Sequence, residues 1–102
     1  MTSYFVTRHD GARDWAARQG IDATLISHLD MSLILAGDTV IGTLPVQMVA
    51  ELTACGARYL HLELDLPEAA RGRALSADEM QRYGARLAEF RAERVHTEGT
   101  SQ

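Results

Sequence analysis

The sequence predicts a single small α/β domain with a Rossmann-like, mostly parallel sheet flanked by helices. Short apolar runs rich in β-branched and aromatic residues alternate along the chain with amphipathic segments of helical period. Glycine or proline marks most of the junctions between these segments. The length of 102 residues, with 46% hydrophobic and 24% charged side chains, suits one compact domain.

The first β-α unit has the clearest pattern. Tyr4-Phe5-Val6 is typical of a buried strand, and a helix is predicted to open at Asp10 or Gly11 and to end at Gly20. Three residues form its apolar face, namely Ala12, Trp15 and Ala16. A weaker strand is predicted within residues 23–29, followed by a connection to residue 37 that is partly helical in one interpretation.

Two stronger strands follow. Thr39–Gly42 leads into a predicted helix over Pro45–Cys55, with Thr43 as a capping residue before the helix start. Arg58–Leu64 alternates and places three polar or aromatic residues on one face, namely Tyr59, His61 and Glu63. A fully covered parallel strand is apolar on both faces. We therefore expect this strand to lie at an edge or to turn a face towards water or a partner, and a dimer contact is the sharper interpretation.

The last predicted element is a long helix. Ser76-Ala77-Asp78-Glu79 matches a capping box. The helical stripe that follows consists of Met80, Tyr83, Leu87 and Phe90. The domain is expected to span residues 1–95, with a disordered tail at 96–102.

Composition and missing motifs narrow the function classes. Ten arginines, no lysine and 14 carboxylates give a net charge of −4, which argues against non-specific binding of long DNA or RNA. An arginine-lined pocket for a small anion stays compatible with this charge. The chain has no Walker P-loop, Gly-x-Gly-x-x-Gly, paired-cysteine zinc motif or His-Glu-x-x-His helix, so neither a metal nor another cofactor is predicted.

Location is also constrained. No apolar run approaches membrane-spanning length, and Met1-Thr2-Ser3 does not begin a signal peptide. Cys55 is the only cysteine and cannot form an internal disulfide. These features predict a cytoplasmic protein with no membrane association.

Reactive and anion-binding residues gather where predicted strands end. Arg8-His9-Asp10-Gly11 follows the first strand, Gly42-Thr43-Leu44-Pro45 follows the third, and Asp65-Leu66-Pro67 with Arg71 and Arg73 follows the fourth. Loops after the carboxyl ends of parallel strands lie at one edge of a sheet, so a ligand site is predicted there. A structural interpretation stays open, in which these residues are helix caps and solvated charges.

The order and spacing of these segments resemble a known family. The segments are Tyr4–His9 with Gly11-Ala12 and Trp15-Ala16, Gly37–Val46, Gly56–Leu60, Asp65–Pro67, Ala70–Arg73 and Leu75–Ala77. Together they resemble the small Csx accessory proteins found beside type III CRISPR systems. That family has a fold similar to the nucleotide-sensing CARF domain, and its members are regarded as ring nucleases.

The resemblance implies a CARF-like homodimer that binds cyclic oligoadenylate, most of all cyclic tetra-adenylate. It also implies metal-independent cleavage, in which a ribose 2′-hydroxyl attacks the adjacent phosphorus, leaves a 2′,3′-cyclic phosphate and switches off antiviral signalling. The catalytic candidates are His9, as general acid or base, and Arg8. The ligand-binding candidates are Arg8, Gly42, Thr43, Leu44, Pro45, Arg71 and Arg73.

Two alternatives stay open. A non-catalytic sensor or sponge for the same cyclic nucleotide would use the same arginines and loops. An interaction subunit would instead dock another protein through the polar face of the strand at Arg58–Leu64.

Overall fold

A computed structural model describes residues 1–99 of the chain. Over this range it contains five strands, Ser3–Val6 (β1), Thr24–Ile26 (β2), Thr39–Gly42 (β3), Arg58–Glu63 (β4) and Arg86–Phe90 (β5). The α-helices in the same range are Asp10–Arg18 (α1), Val46–Cys55 (α2) and Ala77–Arg82 (α3). Single 3-10 turns lie at Met31–Leu33 and Glu68–Ala70.

The strands form one sheet in the order β2-β1-β3-β4-β5. Strands β1 to β4 run parallel, and β5 runs antiparallel to β4. The predicted fold class, a small α/β domain with a mostly parallel, Rossmann-like sheet, is confirmed. The chain passes from β1 outward to β2 and then crosses to β3 on the other side of β1, so the direction of winding switches between β1 and β3. A crevice outside the carboxyl ends of the strands is expected at such a switch.

Each face of the sheet has its own apolar core. One face packs against α1 and α3 through a buried cluster of Phe5, Ala12, Trp15, Ala16, Ile41, Ala77 and Met80. The other face packs against α2 through Ile34, Val40, Val49, Leu52 and Tyr59. The alternation predicted for β4 divides its side chains between these two faces.

The interior position of β4 corrects one sequence-based alternative. This strand pairs with β3 on one side and β5 on the other, so the expected edge position is wrong. Its leucines pack against the α1 and α3 cluster, while Tyr59 is buried beneath α2. His61 and Glu63 lie on the same face as Tyr59 and are half-buried.

The predicted long final helix is wrong beyond Arg82. The capping box is present, since Ser76 Oγ accepts from the Glu79 amide and the Glu79 carboxylate accepts from the Ser76 amide, both at 3.1 Å. Gly84 then takes a positive φ of 74° and turns the chain into β5. Leu87 and Phe90 thus belong to a strand, because residues 86–90 gain a full antiparallel ladder with β4.

Within the described residues, no helix or strand follows Phe90. The predicted disordered tail at 96–102 falls partly outside those residues, at positions 100–102, and stays a prediction. No helix in residues 1–99 is both long enough and apolar enough to span a bilayer.

Candidate functional site

A cavity of about 480 Å³ opens at the carboxyl end of the sheet, where the winding switches between β1 and β3. Its rim carries four polar side chains, Thr7, His9, Thr43 and Arg73. Its floor is apolar and includes Phe5, Leu62, Leu64 and Met80. Loops distant in sequence therefore meet around one crevice, as the strand-end pattern predicted.

The turn after β1 places His9 beside the start of α1. His9 is the N-cap residue of that helix in an extended conformation, and its amide donates to Thr7 Oγ1 at 3.1 Å. The His9 side chain is exposed and lines the cavity. Ala12, in the first turn of α1, lines it too. The amide end of α1 therefore adds a partial positive charge near the rim.

The turn after β3 forms the adjacent wall. Gly42 is buried so close to β1 that a Cβ added there would lie 3.2 Å from the Val6 carbonyl oxygen. The predicted capping role of Thr43 is wrong, because Pro45 is the N-cap residue of α2 and no side chain caps this helix. Thr43 instead exposes its side chain at the cavity rim.

The third wall is the loop at residues 72–75. Arg73 donates to the Glu79 carboxylate at 2.7 Å. This bond, followed by the bond from the Ser76 amide, lowers the pKa of Glu79 from 4.5 to about 2. Glu79 is also the capping-box residue of α3, so one carboxylate both fixes the start of α3 and holds Arg73. The same loop packs closely on α1, because a Cβ at Gly11 would overlap the Leu75 backbone.

Half of the predicted site residues meet in this cavity, namely His9, Gly42, Thr43 and Arg73. The other four do not line it. The Arg8 guanidinium lies against the ring of His28, with Nη2 3.0 Å from Nε2. The Leu44 amide is engaged by Tyr59, Pro45 is exposed at the start of α2, and Arg71 is exposed on the surface.

Other wall and supporting residues were not identified from the sequence. Thr7 directly precedes the Arg8-His9 motif, and Leu62 and Leu64 alternate with the polar residues of the strand and carry no chemical signal of their own. The role of Tyr59 is the hardest to infer from the sequence. Its hydroxyl accepts from the Leu44 amide at 2.8 Å and lies 3.0 Å from the Gly42 carbonyl oxygen. The alternation of β4 predicts the face of the sheet on which Tyr59 lies, but it does not predict that its hydroxyl contacts Gly42 and Leu44.

This arrangement suits a ligand with both a flat apolar part and an anionic part. The volume lies within the usual range for small-molecule sites, and the apolar floor can cover an aromatic ring. An imidazole, a guanidinium and helix amides at the rim can contact phosphate. Within residues 1–99, no three His, Cys, Asp or Glu side chains form a group that could hold a metal ion.

Comparison with known proteins identifies the family. A family model described as "Putative CRISPR-associated protein (Cas_VVA1548)" matches residues 4–93. No curated protein and no solved structure matches the chain significantly. The matched range runs from β1 through β5 and includes every wall of the cavity. The chain therefore belongs to this family of CRISPR-associated proteins.

Proposed function

We propose that this protein is a ring nuclease that binds and cleaves cyclic oligoadenylate, with cyclic tetra-adenylate as the candidate substrate. The observation that carries the proposal is the cavity between β1 and β3, where His9, Thr43 and Arg73 share one rim above an apolar floor. Membership of a CRISPR-associated family supports the choice of a signalling nucleotide as the proposed ligand.

The chemistry of the cavity fits one nucleotide unit of the ring. An adenine base has two apolar faces and can pack against Leu62 and Leu64, the partly exposed leucines of the floor. A phosphate next to it meets Arg73 and the amide end of α1 at the rim. Local groups of this kind can attract a compact anion to a chain whose net charge is −4.

A ring of four nucleotides is larger than one cavity, so the proposal includes a homodimer. A two-fold axis presents each cavity twice and matches the symmetry of a cyclic tetranucleotide. Arg8 and Arg71 are exposed outside the cavity and remain candidate contacts for phosphates beyond it. Sedimentation velocity with and without the ring tests this step, and a monomer in both conditions would contradict it.

The proposed reaction needs no additional reactant. The ribose 2′-hydroxyl loses its proton, its oxygen bonds to the adjacent phosphorus, and the bond from phosphorus to the 5′-oxygen breaks. The 5′-oxygen takes up a proton, which leaves a 2′,3′-cyclic phosphate and a 5′-hydroxyl. His9 is the candidate acid or base, since an imidazole exchanges protons near neutral pH. Arg73 and the α1 amides stabilise negative charge on the phosphoryl oxygens.

The direct test is incubation of excess purified protein with labelled cyclic tetra-adenylate in the presence of a chelator. We expect linear products that end in a 2′,3′-cyclic phosphate. An intact ring that stays bound to the protein would instead support the sensor or sponge. An intact ring with no rise in Tm at high ligand concentration would favour the interaction subunit, because a ligand of the folded state must stabilise it.

Substitution of His9 tests its assigned role. His9→Ala is expected to slow single-turnover cleavage by about 100-fold or more, as for loss of a general acid or base, and to change ring affinity only a few-fold. His96→Ala is the matched control, because His96 is exposed and lies outside the cavity. Cleavage by His9→Ala at the wild-type rate would contradict the acid-base role even if the nuclease activity itself is real.

A further inference from the structure

The hydroxyl of Tyr59 connects the cavity to a groove on the α2 face of the sheet. Tyr59 is only 2% exposed. Its Oη accepts from the Leu44 amide at 2.8 Å and lies 3.0 Å from the carbonyl oxygen of Gly42. The same atom lies 2.6 Å from His61 Nδ1. One hydroxyl therefore contacts both ends of the turn that forms the β3 wall of the cavity.

The hydroxyl has one proton for two of these neighbours. The Leu44 amide can only donate, and the Gly42 carbonyl oxygen can only accept. If Tyr59 donates to Gly42, then His61 Nδ1 must carry a proton and donate to Tyr59. If His61 Nδ1 carries no proton, it accepts a hydrogen bond from the Tyr59 hydroxyl, and Gly42 loses its bond. The proton on His61 thus selects the partner of Tyr59.

Burial supports the role of Tyr59 as a donor. Desolvation of the ring environment raises the pKa of the Tyr59 hydroxyl above its ordinary value of 10.0. The hydroxyl therefore keeps its proton at neutral pH. The neutral phenol therefore donates its one hydrogen bond either to Gly42 or to His61.

His61 reaches solvent through the groove on its own side of the sheet. This groove has a volume of about 300 Å³, and the His61 and Phe90 rings meet edge to face with centroids 5.7 Å apart. Glu63 and Arg91 are the charged residues that line it with His61. From β5, Arg86 pairs with Glu63 at 3.2 Å.

We propose that Tyr59 is a positioning residue for the cavity and that the proton on His61 sets how firmly Tyr59 holds the Gly42–Leu44 turn. A proton on His61 Nδ1, in the charged ring or in the neutral Nδ1–H tautomer, makes Tyr59 bond to both ends of the turn. Unprotonated Nδ1 leaves only the bond from the Leu44 amide. The turn carries Thr43, so protonation of a ring outside the cavity changes how tightly a rim residue is held. The consequence for cleavage rests on the proposed function, whereas the consequence for the turn does not.

Nuclear magnetic resonance tests the effect on the turn without any ligand. In the wild type, the Leu44 amide shift is expected to change together with the His61 ring signals as the Nδ1 proton is lost on raising the pH. Tyr59→Phe keeps the buried ring and should abolish the shared titration. Tyr4→Phe is the matched control, since Tyr4 packs in the same cluster and its hydroxyl bonds to none of residues 1–99.

A second variant keeps the inference testable if Tyr59→Phe does not fold. His61→Phe preserves the aromatic contact with Phe90 but has no ring nitrogen, so Tyr59 is left with Gly42 as its acceptor. The Leu44 amide shift should then no longer change with pH. Two results would overturn the inference. One is a wild-type Leu44 amide shift that stays constant while the His61 ring signals change with pH, and the other is a Leu44 shift that still changes with pH in His61→Phe.

Cleavage provides a separate measurement. Tyr59→Phe is expected to slow single-turnover cleavage by about tenfold or more with a smaller change in ring affinity, because misplacement of a reacting group acts mainly on rate. His61→Phe should remove one inflection from the pH-rate profile, and a profile identical to the wild type counts against the proton-dependent role. If the wild type cuts no cyclic oligoadenylate, the proposed function fails, while the resonance experiment still decides the positioning role.

Discussion

Replacement of Gly11 by alanine is expected to destabilise the protein, although alanine is the better helix former. Gly11 lies in the first turn of α1, with no positive φ that would require glycine. A Cβ at this position would lie 2.9 Å from the Leu75 carbonyl carbon and closer still to its oxygen. These are backbone atoms, so no side-chain rotation can relieve the overlap. Helix α1 and the loop at 72–75 would have to separate by more than an ångström.

Two opposing contributions decide the sign of this effect. The higher helix propensity of alanine favours the variant by at most about 1 kcal/mol. Insertion of a methyl group into a packed site typically costs about 1–3 kcal/mol, and a shift of rigid backbone belongs at the upper end. We therefore expect a net loss of about 1–2 kcal/mol in the free energy of unfolding. At about 4–8 °C per kcal/mol for a domain of this size, the fall in Tm is easily measured.

The assay is chemical and thermal denaturation of Gly11→Ala beside Ala17→Gly. Ala17 is exposed on the same helix, so Ala17→Gly measures the propensity difference in α1 without a clash. Because the shifted loop contains Arg73, Gly11→Ala should also weaken ligand binding at the rim, whereas Ala17→Gly should not. A Tm for Gly11→Ala above that of the wild type would refute the close packing of α1 on this loop.

Two further predictions concern carboxylates. Glu79 has its pKa lowered to about 2, so its stabilising effect is present above 4.5 and is lost as the pH falls through 2. Glu79→Gln should reduce the fall in Tm between pH 4.5 and about pH 2, and a fall as large as that of the wild type would contradict this. Asp38→Asn should lower Tm more than Asp30→Asn. Asp38 is buried, and each of its two oxygens accepts one backbone amide, from Thr2 and from Leu35. In an asparagine, the side-chain NH2 group would replace one oxygen and would face an amide N–H, so two donors would oppose each other. Asp30 uses one oxygen for both of its bonds to Ser32, which an asparagine can keep, and equal shifts would show that this difference is unimportant.

Local signals in the sequence were sufficient for most of the fold. The apolar run at Tyr4–Val6 and the glycine stop after α2 each act within a few residues, and both elements lie where they were expected. Leu87 and Phe90 fit a helical spacing after Met80 equally well. Gly84 ends the helical path locally, and the ladder with β4, which lies more than 20 residues earlier in the chain, makes residues 86–90 a strand. The turn at Gly84 and the long-range pairing with β4 together explain why Leu87 and Phe90 lie in a strand.

The same limit applies to the site. The positions of the strand ends could be predicted from topology, and His9, Thr43 and Arg73 do meet around one cavity. The partners of individual groups could not be predicted. Leu44 was predicted to bind a ligand, but its amide donates to Tyr59, fifteen residues away, and Arg8 lies against His28. Side-chain direction and hydrogen-bond choice follow from the assembled fold and not from the motif.

The shortness of α3 has a consequence for how long a ligand stays bound. This helix has six residues, well below the about 12 at which isolated helices become marginally stable in water. Its order depends on its cap and on packing against α1, while the strands beneath it are held by continuous ladders. Residues 72–82 can therefore open as a local unit while the sheet stays intact. Under the proposed function, the lifetime of the complex is linked to the opening rate of α3, and amide exchange in this helix with and without the ring measures that link.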